Sequence, residues 1–284
     1  MLSQILNLAE RTEMEELIGN MIEGLNSEIK QCEHSAFVNN TCTSCKKTIN
    51  ECDNPTTIPL HYLQPEFSVT GETMTRLRNR NFNDLIKHKK LHLVLDLDNT
   101  LIHASDLGQK LKEDDDIYEI LYGMYLIKLR PGVRDFLEKA STMFEISICT
   151  MADEVYAEAV AKLLKSNKVS ENLRFSRVIC HEHYTNSNRK GLDIELSHER
   201  VVLIVDDCEE VWVDENKANL IKIKPYVSFN QKSDNNNDQD QDQDQELARV
   251  LDVLKTVHSV FYDDNEENYA SKDVRQVLQN VRQA

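Results

Sequence analysis

Three short, strongly apolar runs each stop at residues able to do chemistry. Leu91 to Leu95 runs into Asp96-Leu97-Asp98-Asn99-Thr100, Phe144 to Cys149 into Thr150, and Val201 to Val205 into Asp206-Asp207. Runs this short and this strongly apolar belong to strands buried on both faces, as in a parallel sheet covered by helices on either side. Between them, Val133, Phe136, Leu137 and Ala140, and then Val155, Ala159, Val160, Leu163 and Leu164, recur at helical spacing. The alternation predicts an open, doubly wound α/β fold with a mainly parallel sheet. In such a sheet ligands bind outside the carboxyl ends of the strands, where the strand order reverses, so the three polar tips are expected to converge on one site.

The tips carry Asp96, Asp98, Asp206 and Asp207. Four carboxylates crowded together repel one another unless a cation is present. The natural neutraliser is Mg²⁺, a hard ion that takes one or two carboxylates together with waters and phosphate oxygens. An aspartate after a strand is commonly a solvated turn or a helix cap, which accounts for one of the four and not for the set.

Elsewhere the chain is less regular. Residues 12 to 30 read as an amphipathic helix, with Met14, Leu17, Ile18, Met21, Ile22, Leu25 and Ile29 on one face. Residues 31 to 75 hold Cys32, His34, Cys42, Cys45 and Cys52 with three prolines and little periodicity, which predicts irregular structure or a linker. Residues 1–75 are therefore expected to form an N-terminal helix and a Cys/His-rich segment, and residues 76–284 the catalytic domain. Within the latter, 117 to 129 (IYEILYGMYLIKL) reads as a β-hairpin inserted after the first sheet strand. The tract 233–245 (SDNNNDQDQDQDQ) lacks any apolar residue and is expected to be a disordered acidic loop. Helical stripes follow it at Leu247, Val250, Leu251, Leu254, Val257 and Phe261, and at Val274, Val277, Leu278 and Val281.

Charge and cysteine content limit the partners. With 33 basic and 49 acidic side chains the chain carries −16, a field that repels nucleic acid and anionic membranes. Residues 230 to 284 contribute −6 of this, from 6 basic and 12 acidic side chains. No apolar run of about 18 residues is present, so no membrane span is expected. Seven cysteines in 284 residues do not form a disulfide scaffold, and the odd count fits a reducing compartment. Cys32, His34, Cys42 and Cys45 have the composition of a tetrahedral Zn²⁺ site, with Cys52 able to replace His34. The one-residue spacing of the first pair is tighter than usual for zinc, and reduced, metal-free cysteines are the alternative.

The run Leu93-Val94-Leu95-Asp96-Leu97-Asp98-Asn99-Thr100-Leu101-Ile102 resembles the DxDx(T/V) signature of haloacid-dehalogenase-type phosphotransferases, in the form found in the Fcp/Scp phosphatases of the RNA polymerase II carboxy-terminal domain. The likeness continues through Lys128-Leu129-Arg130-Pro131-Gly132-Val133, Phe136-Leu137, Thr150-Met151, Tyr156-Ala157, Lys162-Leu163-Leu164 and Val205-Asp206-Asp207 with Val211-Trp212. It covers roughly residues 75 to 281, and its late segments are similar to the plant-type Fcp-like members. The N-terminal cysteine set is also similar to one in Fcp-like chains. The resemblance implies a Mg²⁺-dependent protein-serine/threonine phosphatase that works through an aspartyl-phosphate. Asp96 would be the nucleophile and Asp98 the acid and base, its backbone carbonyl also holding the metal. Asp206 and Asp207 would complete the metal shell. In the phosphate-binding group, Thr100 would order the catalytic loop, Thr150 would hydrogen-bond the phosphate and Lys190 would neutralise its charge. Read without the family, Lys190 in Asn188-Arg189-Lys190-Gly191 is a surface loop residue, and Arg189 competes for the role. The implied partner is the phosphorylated C-terminal domain of the largest polypeptide of RNA polymerase II, and the implied location is the nucleus. The broken basic run Arg76, Arg78, Arg80, Lys87, Lys89, Lys90 would be only a weak import signal.

The chain departs from the family pattern where Cys149 and Ala152 flank the Thr150 loop, which predicts altered packing beneath the site with activity retained. His181, Glu182 and His183 read as a polar loop. Two other functions compete: a small-molecule phosphatase of the same superfamily, distinguished by a closed cover over the site, and a non-enzymatic interaction module built on the N-terminal helix and the acidic loop.

Overall fold

A computed structural model describes residues 32–106, 117–165, 173–228, 244–262 and 269–283, and its contacts divide the chain into two compact units, Met1–Leu77 and Arg78–Ala284. The helix expected over 12–30 and residues 233–243 of the acidic tract lie outside the described residues. No described helix is long and apolar enough to cross a membrane.

The first unit is a four-stranded antiparallel sheet of β1 (Ala36–Val38), β2 (Thr41–Cys42), β3 (Thr57–Pro59) and β4 (Phe67–Thr70), in the order β2-β1-β4-β3. Asn39 and Asn40 turn β1 into β2 with φ of 49° and 57°, left-handed values that asparagine tolerates and that a two-residue hairpin turn requires. Along β4, buried Phe67 and Val69 alternate with half-buried Ser68 and Thr70. The stretch 31–75, expected to be irregular structure or a linker, thus carries a four-stranded sheet within residues 36–70, with irregular turns between its short strands. Strands of two to four residues are too short to display a period, so the pattern that marks longer strands is absent here. Helix α1 (Gly71–Lys87) follows.

The second unit is built on a five-stranded sheet. Its strands are β5 (Leu91–Leu95), β9 (Phe144–Cys149), β10 (Phe175–Ile179), β11 (Val202–Asp206) and β12 (Leu220–Lys222), all parallel, in the order β10-β9-β5-β11-β12. The chain enters at the centre with β5, moves out through β9 and β10, then crosses back to β11 on the other side of β5. The reversal of strand order therefore falls between β5 and β11. Pairing of Leu95 with both Ile148 and Val205 brings the three tips level. Every residue of β5 and β11 is buried, as a sheet covered on both faces demands. Burying one such aliphatic side chain contributes about 1.5–3 kcal/mol. The exception in composition is His92 of β5, fully buried with Nδ1 2.7 Å from Ser197 Oγ and Nε2 2.8 Å from Ser147 Oγ. Burial lowers its pKa, so it sits among those hydroxyls as a neutral imidazole.

The inserted hairpin is present as β7 (Ile117–Ile120) and β8 (Tyr125–Leu129), turning through Leu121, Tyr122 and Gly123 at positive φ. A third strand, β6 (Ile102–Asp106), pairs with β8 and makes the insert a sheet of order β6-β8-β7. The sequence of β6, IHASD, has one large apolar residue and gives no strand signal. Helices α2 (Val133–Met143), α4 (Glu246–Tyr262) and α5 (Val274–Gln283) carry the predicted stripes, and α4 packs against α2 and α5, whereas α3 (Glu154–Lys165) buries Tyr156, Ala157, Val160, Ala161 and Leu164 and leaves Val155, expected on its apolar face, exposed.

Two polar residues expected on the outside instead hold the fold. Asp244, within the tract read as a disordered loop, pairs through Oδ2 with buried Arg130 Nε at 2.8 Å, and its Oδ1 accepts the Glu246 N–H. The tract therefore ends before Asp244, which opens α4. Arg78, read as part of an import signal, donates to the carbonyls of Leu192, Asp193 and Glu195 at 2.8–3.0 Å.

Candidate active site

Asp96 continues β5, and its backbone N–H donates to Val205 O at 3.0 Å. The backbone geometry thereby sets the Asp96 side chain beside the end of β11, at the reversal of strand order. Lys190 reaches the same point from the loop before β11. Its Nζ donates to Asp96 Oδ1 at 2.6 Å and to Asp206 Oδ2 at 2.7 Å, and only 2% of the residue is exposed. The loop is fastened to the chain around Trp212, with Lys190 N bonded to Val211 O at 2.7 Å and Val213 N to Lys190 O at 3.0 Å. Trp212 Nε1 donates to Asp206 Oδ2 at 2.9 Å, and its ring centroid lies 5.5 Å from the Lys190 ammonium. Lys190 is thus no surface residue. Arg189, which competed for the role, points instead to Asp214 at 3.9 Å and is exposed.

The loop after β5 is wound tightly. Leu101 N and Ile102 N both donate to Leu97 O, and Asn99 takes φ 60°, a left-handed value asparagine accepts at low cost. Arg130 Nη1 holds Thr100 O at 3.0 Å, and Tyr226 N holds Asn99 O at 2.7 Å. Thr100 Oγ1 donates to Asp207 Oδ1 at 3.3 Å and accepts from Asp207 N at 3.2 Å, tying the first tip to the third. Thr150, buried past the end of β9, accepts the Ala152 N–H at 3.1 Å and keeps its hydroxyl proton for another acceptor.

Asp96, Asp206 and Asp207 each offer an oxygen within 4.8 Å of the others. The Asp98 carboxylate is not part of that group. Its Oδ1 accepts a 2.6 Å hydrogen bond from Tyr156 OH on α3, so the expected crowd of four is a group of three plus one carboxyl held apart. Burial pushes Asp96 up to about 7, with Asp206 adding to the shift and Lys190 opposing it. Burial pulls Lys190 the other way, but Asp96 and Asp206 outweigh it and leave the ammonium firmly charged. Asp207 is raised by burial and by Asp206. Asp98 is raised by burial, with the Tyr156 bond partly offsetting the rise. Three carboxylates beside one ammonium, which pairs with two of them, leave excess negative charge in a desolvated place. That donor set, all oxygen and under-neutralised, fits a hard divalent cation.

The family profile of NLI interacting factor-like phosphatases matches residues 91–266, from β5 to just past the end of α4. The chain belongs to this phosphatase family. Similar to this family member is the RNA polymerase II C-terminal domain phosphatase-like 4 of Arabidopsis thaliana, 32% identical over 92% of this chain and 64% of that protein. An RNA polymerase II C-terminal domain phosphatase of Caenorhabditis elegans is 28% identical over 90% of this chain and 42% of its own length. The chain thus spans less than two thirds of these relatives. Among solved structures, the fission yeast RNA polymerase II CTD phosphatase bound to beryllium fluoride superposes with a TM-score of 0.54 at 25% identity, covering 72% of this chain and 74% of that one. The doubly wound α/β fold expected from the apolar runs, in the haloacid-dehalogenase-like form that the resemblance implied, is the fold of this phosphatase domain.

Three residues of this family member stand at the site without having been assigned a role from sequence. Tyr156 orients Asp98, Trp212 holds Asp206, and Arg130 fixes the loop carbonyls. Tyr156 lies on the buried stripe of α3 and Trp212 is the single tryptophan, so each reads as core. Only the pairing of a polar tip with a buried carboxylate separates them from ordinary packing. Behind the tips, Glu195 accepts from Ser147 at 3.0 Å and Arg177 at 3.2 Å, and Cys149 Sγ lies 3.7 Å from it. The unusual Cys149 is therefore part of a buried polar layer. The other predicted group, Cys32, His34, Cys42 and Cys45, is assembled in the first unit with its four ligand atoms within 4.8 Å of one another.

Proposed function

We propose that this chain is a Mg²⁺-dependent protein-serine/threonine phosphatase that removes phosphate from the C-terminal heptad repeats of RNA polymerase II, acts in the nucleus, and works through a phosphorylated Asp96. The observation that carries the reading is the buried Lys190 shared by Asp96 and Asp206 beside Asp207, at the reversal of strand order. The names of the Arabidopsis and nematode relatives supply the substrate class.

In this reading Lys190 fixes Asp96 through Oδ1 and offsets negative charge on the incoming phosphoryl group. Thr150 offers its hydroxyl proton to a phosphate oxygen. Asp96 attacks phosphorus, the P–O bond to the seryl oxygen breaks, and Asp98 gives that oxygen its proton. The Asp98 carboxylate, oriented by Tyr156, then takes a proton from water, which attacks phosphorus, frees Asp96 and releases inorganic phosphate. Asp96, Asp206 and Asp207, with the Asp98 backbone carbonyl, would hold Mg²⁺, which when bound neutralises charge on the carboxylates and on the phosphoryl oxygens. Thr100 serves the loop through its two bonds to Asp207.

The test is turnover of singly phosphorylated heptad peptides by the purified chain. Hydrolysis should require Mg²⁺, stop with EDTA, return on adding Mg²⁺, and be inhibited by beryllium fluoride. Activity in metal-free buffer would exclude the metal reading. Preference for small phosphate esters with no turnover of the peptides would favour a small-molecule substrate.

A further inference from the structure

The Cys/His group of the first unit takes no part in this chemistry. Its four ligand atoms come from two short segments that the β1–β2 hairpin brings together, with Phe37 paired to Cys42. Cys42-Thr43-Ser44-Cys45 forms a tight knuckle in which Lys46 N donates to Cys42 O at 3.1 Å and Lys46 takes φ 63°. Cys32-Glu33-His34 faces it. The one-residue spacing is workable because His34 adopts φ 49°, folding the imidazole back beside the thiol. Cys32 Sγ lies 3.7 Å from Cys42 Sγ, and Cys45 Sγ lies 3.4 Å from His34 Nδ1. A tetrahedral ion with bonds of about 2.3 Å to sulfur and about 2.0 Å to nitrogen sets ligand atoms roughly 3.5–3.8 Å apart. These two separations are close to those such an ion imposes, all four ligand atoms lie within 4.8 Å of one another, and the cysteines are free thiols.

We propose that Cys32, His34, Cys42 and Cys45 bind one structural Zn²⁺ in a three-thiolate, one-imidazole site built wholly within the first unit. The ligand set separates the possible ions. Thiolates and an imidazole exclude Mg²⁺ and Ca²⁺, and the mixed Cys₃His set suits Zn²⁺ better than iron, which in mononuclear form favours four thiolates. Cys52, the other candidate ligand, packs against Phe37 and Cys42 and stands outside the ligand group, which leaves the fourth position to His34. Around the ligands the apolar cluster is Phe37, Cys42 and Cys52 with partly buried Cys32, Cys45 and Ile49, so the packing there is built largely from the ligand cysteines themselves and a bound ion adds folding free energy to it.

The experiment uses the full chain, purified under reducing conditions without chelator, with metal content read by mass spectrometry independently of phosphatase activity. One zinc per chain is expected. It should fall to background in the Cys42→Ser/Cys45→Ser variant and stay at one per chain in Cys52→Ser. His34→Cys keeps four ligands and should retain zinc even where Cys42→Ser/Cys45→Ser folds poorly. Replacing the metal with Co²⁺ should give the strong ligand-field bands of a tetrahedral thiolate site in the wild type and in Cys52→Ser. Zinc absent from the wild type, iron in its place, zinc that survives loss of Cys42 and Cys45, or zinc lost with Cys52 would each overturn the assignment.

Discussion

The bond between Tyr156 and Asp98 separates the two aspartates of the DxD loop into different roles. Asp96 sits against Lys190 and Asp206, while Asp98 is turned away onto a phenol 2.6 Å distant. Replacing Asp96 with Asn keeps the shape and removes the attacking charge, so turnover of phosphoheptad peptide should drop to background, a loss of about 10⁴-fold or more, with the fold intact by circular dichroism. Hydrolysis near the wild-type rate would remove Asp96 from the mechanism. The Tyr156→Phe variant tests the partner. The phenol stabilises the ionised Asp98 and holds its pKa down against burial, so deleting it raises that pKa further. In the proposed mechanism Asp98 must be protonated to release the seryl oxygen, so the alkaline limb that it would govern should move to higher pH, with a fall in kcat. A lower kcat with an unmoved pH profile would make Tyr156 a packing residue only.

At the scale of elements, Arg130 shows how the backbone of the loop after β5 is held. It is 2% exposed, and its guanidinium spans Thr100 O, Lys224 O and the Asp244 carboxylate, so one side chain joins the catalytic loop, the segment after β12 and the start of α4. Arg130→Met should destabilise the chain by about 3–5 kcal/mol, because it strands a buried carboxylate and buried carbonyls, and urea denaturation reads that loss. A change below about 1 kcal/mol would mean that water replaces the guanidinium. The sequence makes β5, β9 and β11 legible because all three are rich in large apolar residues and end on polar tips, and it makes α4 and α5 legible through stripes such as Val250, Leu254, Val257 and Phe261. It hides β1 to β4, which are too short to show a period, and β6, whose residues carry no apolar alternation. The site is legible in the same uneven way. The aspartates announce themselves by spacing, whereas Lys190 is silent without the family pattern, and Tyr156 and Trp212 gain meaning only from the carboxylates they touch.

Over the whole molecule, the charge of −16 opposes any anionic substrate, and part of it resides in the acidic run that precedes α4 in sequence. Asp244 marks the border. Its carboxylate is 14% exposed against Arg130, and from there α4 runs on as a continuous packed helix, whereas residues 233–243 hold no apolar side chain able to join that packing. Exchanging 233–243 for a Gly/Ser segment of equal length leaves the loop-closure entropy nearly unchanged, since even a doubling of loop length costs only about 0.6 kcal/mol. At about 2–4 °C per kcal/mol for a unit of this size, the melting temperature should shift by no more than about 3 °C. Adding Asp244→Ala to that variant removes the partner of a buried guanidinium at a cost of about 3 kcal/mol or more, so a further fall of roughly 6–12 °C is expected. Calorimetry of the two variants side by side decides where the expendable tract ends. Equal melting temperatures would show that Asp244 belongs to the loop, and a large fall on replacing 233–243 alone would show that the acidic tract itself supports the fold.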